Sequence, residues 1–166
     1  MSVLHVGTRS VEATHAVAAA LEPLLGPGDV LLLSGDLGAG KTAFVQGLAR
    51  AMGITDRVTS PTFTLAHTYQ GRRRLHHLDV YRFTRSEEAV DLGLPELLDD
   101  DAVLAVEWGE VIVAELPPDF LRICIHLGPP EDSADVRRLE FEPVGASWQP
   151  RVEAIAKALA SWKEEV

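Results

Sequence analysis

Residues Gly35-Asp36-Leu37-Gly38-Ala39-Gly40-Lys41-Thr42 constrain this chain more than any other stretch. They satisfy the pattern G-x-x-x-x-G-K-[ST], and the flanking sequence supplies the context that the pattern needs. Val30 to Leu33 is a short continuous apolar run ahead of the loop, suited to a strand buried on both faces. Behind it, Thr42 to Met52 carries apolar residues at helical spacing. Strand, tight loop and helix in this order make a cradle for phosphate. Glycines let backbone N–H groups approach anionic oxygens with no Cβ in the way. The helix start adds unpaired N–H groups and the positive end of its dipole. Lys41 offers a point charge to β- and γ-phosphates, and Thr42 offers a hydroxyl to Mg²⁺. All eight residues, Gly35 through Thr42, are therefore predicted phosphate-site residues.

Three further segments suit the same chemistry. Val103-Leu104-Ala105-Val106-Glu107 is an apolar run ending in a carboxylate, the arrangement that places an acid near a metal. In His77-Leu78-Asp79-Val80-Tyr81-Arg82, strand spacing puts His77, Asp79 and Tyr81 on one face. Asp79 there could orient an attacking water or a metal-bound water; from alternation alone, pairing with an arginine on a solvated face is as good a reading. His76 and His77 point to opposite faces, so a zinc site is not expected. Ser60-Pro61-Thr62-Phe63 reads as a rigid turn at the mouth of the site, able to sense a γ-phosphate as switch loops do. Trp108 by itself reads as packing.

The remaining pattern is that of an α/β chain. Ser10 to Leu25 predicts a helix with Thr14, Val17, Ala18, Leu21, Leu24 and Leu25 on one face, ended by Gly26-Pro27-Gly28. Thr62 to Tyr69 and Leu75 to Phe83 predict two strands joined through Gln70-Gly71-Arg72. Thr84-Arg85-Ser86-Glu87 fits a capping box opening a short helix toward Leu92. Leu121 to Leu127 alternates, and Val136 to Glu142 reads as a further strand after a loop at 128–135. A last helix spans about Ser147 to Trp162, with Trp148, Val152, Ile155, Leu159 and Trp162 as a core stripe. Early parallel-type strands and later hairpins predict a mixed sheet.

With 166 residues and 46% apolar content, the expectation is one domain, residues 1–166. One cysteine, Cys124, excludes an intramolecular disulfide, and no apolar run is long enough for a membrane helix, so a cytoplasmic protein is expected. A net charge of −10 argues against direct binding of nucleic acid by the whole surface. The charge is uneven: Arg72, Arg73, Arg74, Arg82 and Arg85 fall close together, while Ser86 to Asp119 holds acids and no Lys or Arg. Two solvated faces of opposite sign explain this, as does an arginine docking patch on a hairpin tip beside the phosphate site.

Taken in order, the loop at Gly35–Thr42, Ser60-Pro-Thr-Phe63, His77-Leu-Asp-Val-Tyr-Arg82 and Val106-Glu-Trp108 resemble the bacterial TsaE (YjeE) family from about Thr8 to Glu142. The resemblance implies a P-loop α/β nucleotide-hydrolase domain, with a central parallel sheet extended by antiparallel strands and helices on both faces. It implies ATP and Mg²⁺ as cofactors and slow ATP hydrolysis. The implied role supports threonylcarbamoylation of the adenosine beside the tRNA anticodon, which a TsaB–TsaD-type complex carries out. tRNA is then met indirectly, and no membrane is involved. By the same resemblance, Thr42 and Glu107 hold Mg²⁺, Lys41 and Asp79 are catalytic, and Ser60 to Phe63 is switch-like. Arg138, or its neighbour Arg137, is implied to contact nucleotide, and the segment Thr8 to Thr14 to lie near the adenine.

Other readings share the phosphate loop. A small-molecule kinase needs an acceptor pocket and an arginine-bearing lid. A GTPase needs an Asn-Lys-x-Asp base reader, which three lysines at Lys41, Lys157 and Lys163 do not provide. A nucleotide-gated assembly factor shares all four motifs and differs only in turnover.

Overall fold

The computed structural model describes residues 2–61 and 65–164. The described strands are β1 (Leu4–Thr8), β2 (Val30–Ser34), β3 (Ala66–Gln70), β4 (Arg74–Asp79), β5 (Ala102–Glu107), β6 (Phe120–Leu127) and β7 (Arg137–Val144). They form one sheet in the order β1-β7-β6-β2-β5-β4-β3. The centre, β6-β2-β5-β4, is parallel. Antiparallel β7 and β1 extend one side, and antiparallel β3 extends the other. This is the mixed α/β sheet that the sequence predicts.

The apolar runs are continuous because the central strands are covered twice. Leu31, Leu33, Val103 and Ala105 pack with helices α1 (Val11–Leu21), α2 (Lys41–Ala51) and α5 (Val152–Ala158). Val30, Leu32, Leu104 and Val106 pack with α3 (Glu88–Leu92), α4 (Leu94–Leu98) and the turn of helix around Ile112. β6 alternates because one face is more open: Leu121, Ile123 and Ile125 are buried, while Arg122 and Cys124 are only half-buried.

Several boundaries differ from expectation. β1 carries only Val6 and Thr8 as buried residues, too weak a pattern to read as a strand; it exists because β7 offers it a partner edge. β4 stops at Asp79 rather than Phe83. There the Asp79 carboxylate accepts the Tyr81 N–H at 3.0 Å and turns the chain, so Tyr81 leaves the face of His77 and Asp79 and stands 56% exposed. The cap of α3 is formed by Glu88, not Glu87: its carboxylate accepts from the Thr84 N–H and hydroxyl and from the Arg85 N–H. The C-terminal helix is broken into the 3₁₀ turn Gln149–Arg151, α5, and the 3₁₀ turn Ala160–Trp162. Trp148, Ile155 and Leu159 are nevertheless buried in the core, as the stripe predicts.

The arginine-rich hairpin tip is not beside the phosphate loop. Arg74 lies across from Ala102 at the start of β5, whereas Asp79 lies across from Glu107 at its end. The tip instead closes the C-terminus of α2: the Arg72 N–H donates to Met52 O at 2.7 Å, and its guanidinium donates to Ala51 O. A Cβ at Gly71 would stand 2.3 Å from Met52 O, which explains glycine there. Arg73 pairs with Glu22 at 3.1 Å, and Arg74 with Asp100 at 2.8 Å. Reversing Arg72, Arg73 and Arg74 to Glu removes these partners and sets a new carboxylate against Glu22. We expect a loss on the order of 1 kcal/mol in all, since these pairs are largely exposed and exposed ion pairs contribute little. Thermal unfolding checks it, and a triple variant melting with the parent would show the tip to be mere surface.

Candidate functional site

The phosphate loop connects the end of β2 to the start of α2. Gly35 has a φ of 141°, and a Cβ on it would stand 2.3 Å from Ile125 O of the neighbouring strand. Gly40, with a φ of 110°, turns the chain into Lys41. Both positions require glycine. Leu37 at the loop's crest is 80% exposed.

Lys41 is only 4% exposed. Its ammonium donates to Gly35 O at 2.6 Å and Asp36 O at 3.0 Å, and lies 4.0 Å over the Trp108 ring. Burial lowers the ammonium's pKa from the ordinary lysine value, while the carboxylates of Glu107, Asp79, Glu110 and Asp36 act to raise it. Trp108 holds its place with a φ of 61°, unusual for a residue with a side chain, and Tyr81 packs on its ring with centroids 4.9 Å apart. Trp108, which by sequence reads as packing, is thus a wall of the site.

Parallel pairing aligns the acids. Leu33 lies across from Glu107, and Glu107 across from Asp79, so one row runs along the C-terminal ends of three strands. Ligands of open α/β sheets bind at these ends. The Thr42 hydroxyl donates toward both Glu107 oxygens at 3.2 Å. Ser60 donates its hydroxyl to Asp79 Oδ2 at 2.9 Å. A cavity of about 250 Å³ is lined by Lys41, Thr42, Ser60, Asp79, Glu107 and Trp108. Glu107 and Asp79 are both buried beside a single lysine. The Thr42 hydroxyl and the Glu107 carboxylate are the hard oxygen donors that a divalent cation such as Mg²⁺ takes, and its charge would offset that of the two buried acids.

Of the predicted site residues, the structure brings together Gly35 through Thr42, Asp79, Glu107 and Ser60. Thr62 and Phe63 of the switch-like segment lie outside the described residues. The adjacent arginines part company. Arg137 reaches the loop but as its buttress: Nε donates to Ala39 O at 2.8 Å, and Nη1 to Val136 O at 2.9 Å. Among the described residues Arg138 has no hydrogen bond or ion pair with the loop. It pairs with Glu164 at 3.6 Å and lines a second cavity, about 340 Å³, with Thr8, Arg9, Ala13 and Trp162. One contact of the site has no signal in the sequence. His77 Nε2 lies 2.5 Å from Glu107 Oε2. Alternation places His77 on the face of Asp79, but only the pairing of β4 with β5 puts it beside Glu107.

A parallel sheet with a glycine-rich loop feeding a helix, a lysine and threonine at that helix's start, and an acid ending the adjacent strand define a P-loop-type α/β protein. The sequence model described as "Threonylcarbamoyl adenosine biosynthesis protein TsaE" matches residues 8–136. The tRNA threonylcarbamoyladenosine biosynthesis protein TsaE of Bacillus subtilis is 40% identical over 158 residues, covering 95% of this chain and 96% of that protein. The protein of the same name from Treponema pallidum is 44% identical over 120 residues, covering 72% of this chain and 89% of the relative. The crystal structure of Bacillus subtilis YdiB superposes with a TM-score of 0.77 at 36% identity, covering 96% of this chain and 95% of that one. The chain belongs to the TsaE family of threonylcarbamoyl adenosine biosynthesis proteins. No helix among the described residues is long and apolar enough to cross a membrane.

Proposed function

We propose that this chain binds ATP with Mg²⁺, hydrolyses it slowly, and thereby supports threonylcarbamoylation of the adenosine beside the anticodon of tRNA, in the cytoplasm and in concert with a TsaB–TsaD-type transferase complex. The observation that carries this reading is the convergence of Lys41, Thr42, Glu107 and Asp79 on one small cavity. The loop N–H groups and Lys41 bind the phosphates, and Thr42 and Glu107 hold the metal. When bound, Mg²⁺ neutralises phosphate charge. Asp79, already held by the Ser60 hydroxyl, orients the attacking water and accepts its proton. Arg138, with Thr8 and Ala13, is assigned to the outer part of the nucleotide. tRNA is reached through the partner complex, in keeping with a charge of −10.

The position of the hairpin tip speaks against a small-molecule kinase, because the arginines that would serve a lid stand at the opposite end of the sheet. The test is a titration with ATP and ADP, with and without Mg²⁺, followed by phosphate release with and without the transferase complex. We expect Mg²⁺-tightened binding and turnover that the complex raises. Absence of nucleotide binding overturns the reading. Binding without turnover, even in the complex, makes the chain a nucleotide-gated assembly factor instead.

A further inference from the structure

We propose that His77 is a positioning residue for Glu107: its ring N–H holds one carboxylate oxygen, so that the carboxylate stays turned toward Thr42 and the phosphate loop. This rests on the Mg²⁺–nucleotide reading of the site given above.

Four observations lead to it. His77 is 0% exposed, and its Nε2 lies 2.5 Å from Glu107 Oε2, itself on a buried side chain. An ionised carboxylate only accepts, so Nε2–H is the donor. Across the β4–β5 ladder His77 faces Ala105, one alternation before Glu107. The small methyl side chain there gives the ring room to reach along the strand. Thr42 meets the same carboxylate from α2 at 3.2 Å, so strand β4 and helix α2 grip Glu107 from two sides.

The fourth observation is a cost. His77 Nδ1 is buried and has no hydrogen-bond partner among the described residues. A ring that only filled the core would be replaced to advantage by leucine or phenylalanine, since a buried unpaired polar atom is unfavourable. A local loss of this kind beside a candidate metal carboxylate marks a residue kept for the site rather than for the fold. With Nδ1 unpartnered, all of the ring's hydrogen bonding is spent on Glu107. The consequence is preorganisation. A carboxylate already fixed in direction loses no rotamer freedom when a cation binds, and partners of metal ligands typically contribute tenfold or more to metal affinity.

The experiment titrates ADP into the parent, His77→Leu and His77→Gln across a Mg²⁺ series that includes a metal-free arm. Gln keeps an N–H near the position of Nε2, and Leu keeps apolar volume without the donor. We expect metal-free ADP affinity to match the parent in both variants. The Mg²⁺ concentration needed for half of the tightening should rise about tenfold to a hundredfold in His77→Leu, and His77→Gln should restore most of it. A His77→Leu response equal to the parent's overturns the inference, as does equal loss in both variants. A parent that shows no Mg²⁺ response overturns the site reading itself and is told apart by the parent curve alone. Should His77→Leu fail to fold, His77→Asn replaces it: its shorter amide falls short of Glu107, so a response equal to that of His77→Gln would defeat the proposal.

Discussion

Asp79→Asn is expected to lower ATP turnover by about 10²–10⁴-fold, the range typical of a lost general base. The substitution is chosen because it leaves the local structure intact. Asp79 Oδ1 accepts the Tyr81 N–H and Oδ2 accepts the Ser60 hydroxyl. An asparagine oxygen can still accept from Tyr81, and its amide can donate to Ser60 Oγ once that hydroxyl rotates. What disappears is the negative charge and the ability to take a proton. Nucleotide affinity should therefore change little, because phosphate binding depends on the loop and on Lys41. Single-turnover phosphate release on nucleotide-saturated protein separates the two effects. Turnover equal to the parent's would show Asp79 to be a hinge of the β4 turn and nothing more.

The parts of this fold that were legible in the sequence are those set by local pattern. The run Val30 to Leu33 and the run Val103 to Val106 read as strands covered on both faces, and both strands contribute to the two cores on either side of the sheet. The loop at Gly35–Thr42 carries its own conformational requirement in glycine. What stayed hidden depends on which strands become neighbours. His77 and Glu107 are thirty residues apart, and their contact exists only because β4 pairs in parallel with β5. The same holds for Arg72, whose partners are Ala51, 21 residues back at the end of α2, and Met52 just after it. A charge count sees three arginines in a row; the fold uses all three in ion pairs, and Arg72 also closes a helix. Arg137 and Arg138 are adjacent in β7 and so point to opposite faces. Nothing short of the β6–β7–β1 register decides which of the two meets the loop.

Lys41→Ala is expected to weaken ATP and ADP binding by tenfold or more, and the structure explains why no neighbour can compensate. A charge-assisted contact contributes roughly 1.5–3 kcal/mol, equivalent to roughly ten- to 150-fold in affinity. The other lysines are Lys157 and Lys163 near the C-terminus, so no second ammonium can take its place. Arg137, the nearby guanidinium, is already committed to the carbonyls of Ala39 and Val136. Lys41 is also poised before any ligand arrives: it is desolvated, it lies over the Trp108 ring, and two carbonyls of its own loop hold the ammonium. Part of its desolvation cost is thus already met in the folded protein, and binding exchanges carbonyl oxygens for phosphate oxygens. Lys41→Arg should be nearly as damaging. A planar guanidinium presents its donors in a fixed fork, whereas the ammonium is a compact point charge held by two loop carbonyls. Calorimetric titration of both variants with ADP, alongside thermal unfolding to confirm the fold, provides the measurement. Parent-like affinity in Lys41→Ala would mean that the loop, for all its glycines, is not a phosphate cradle.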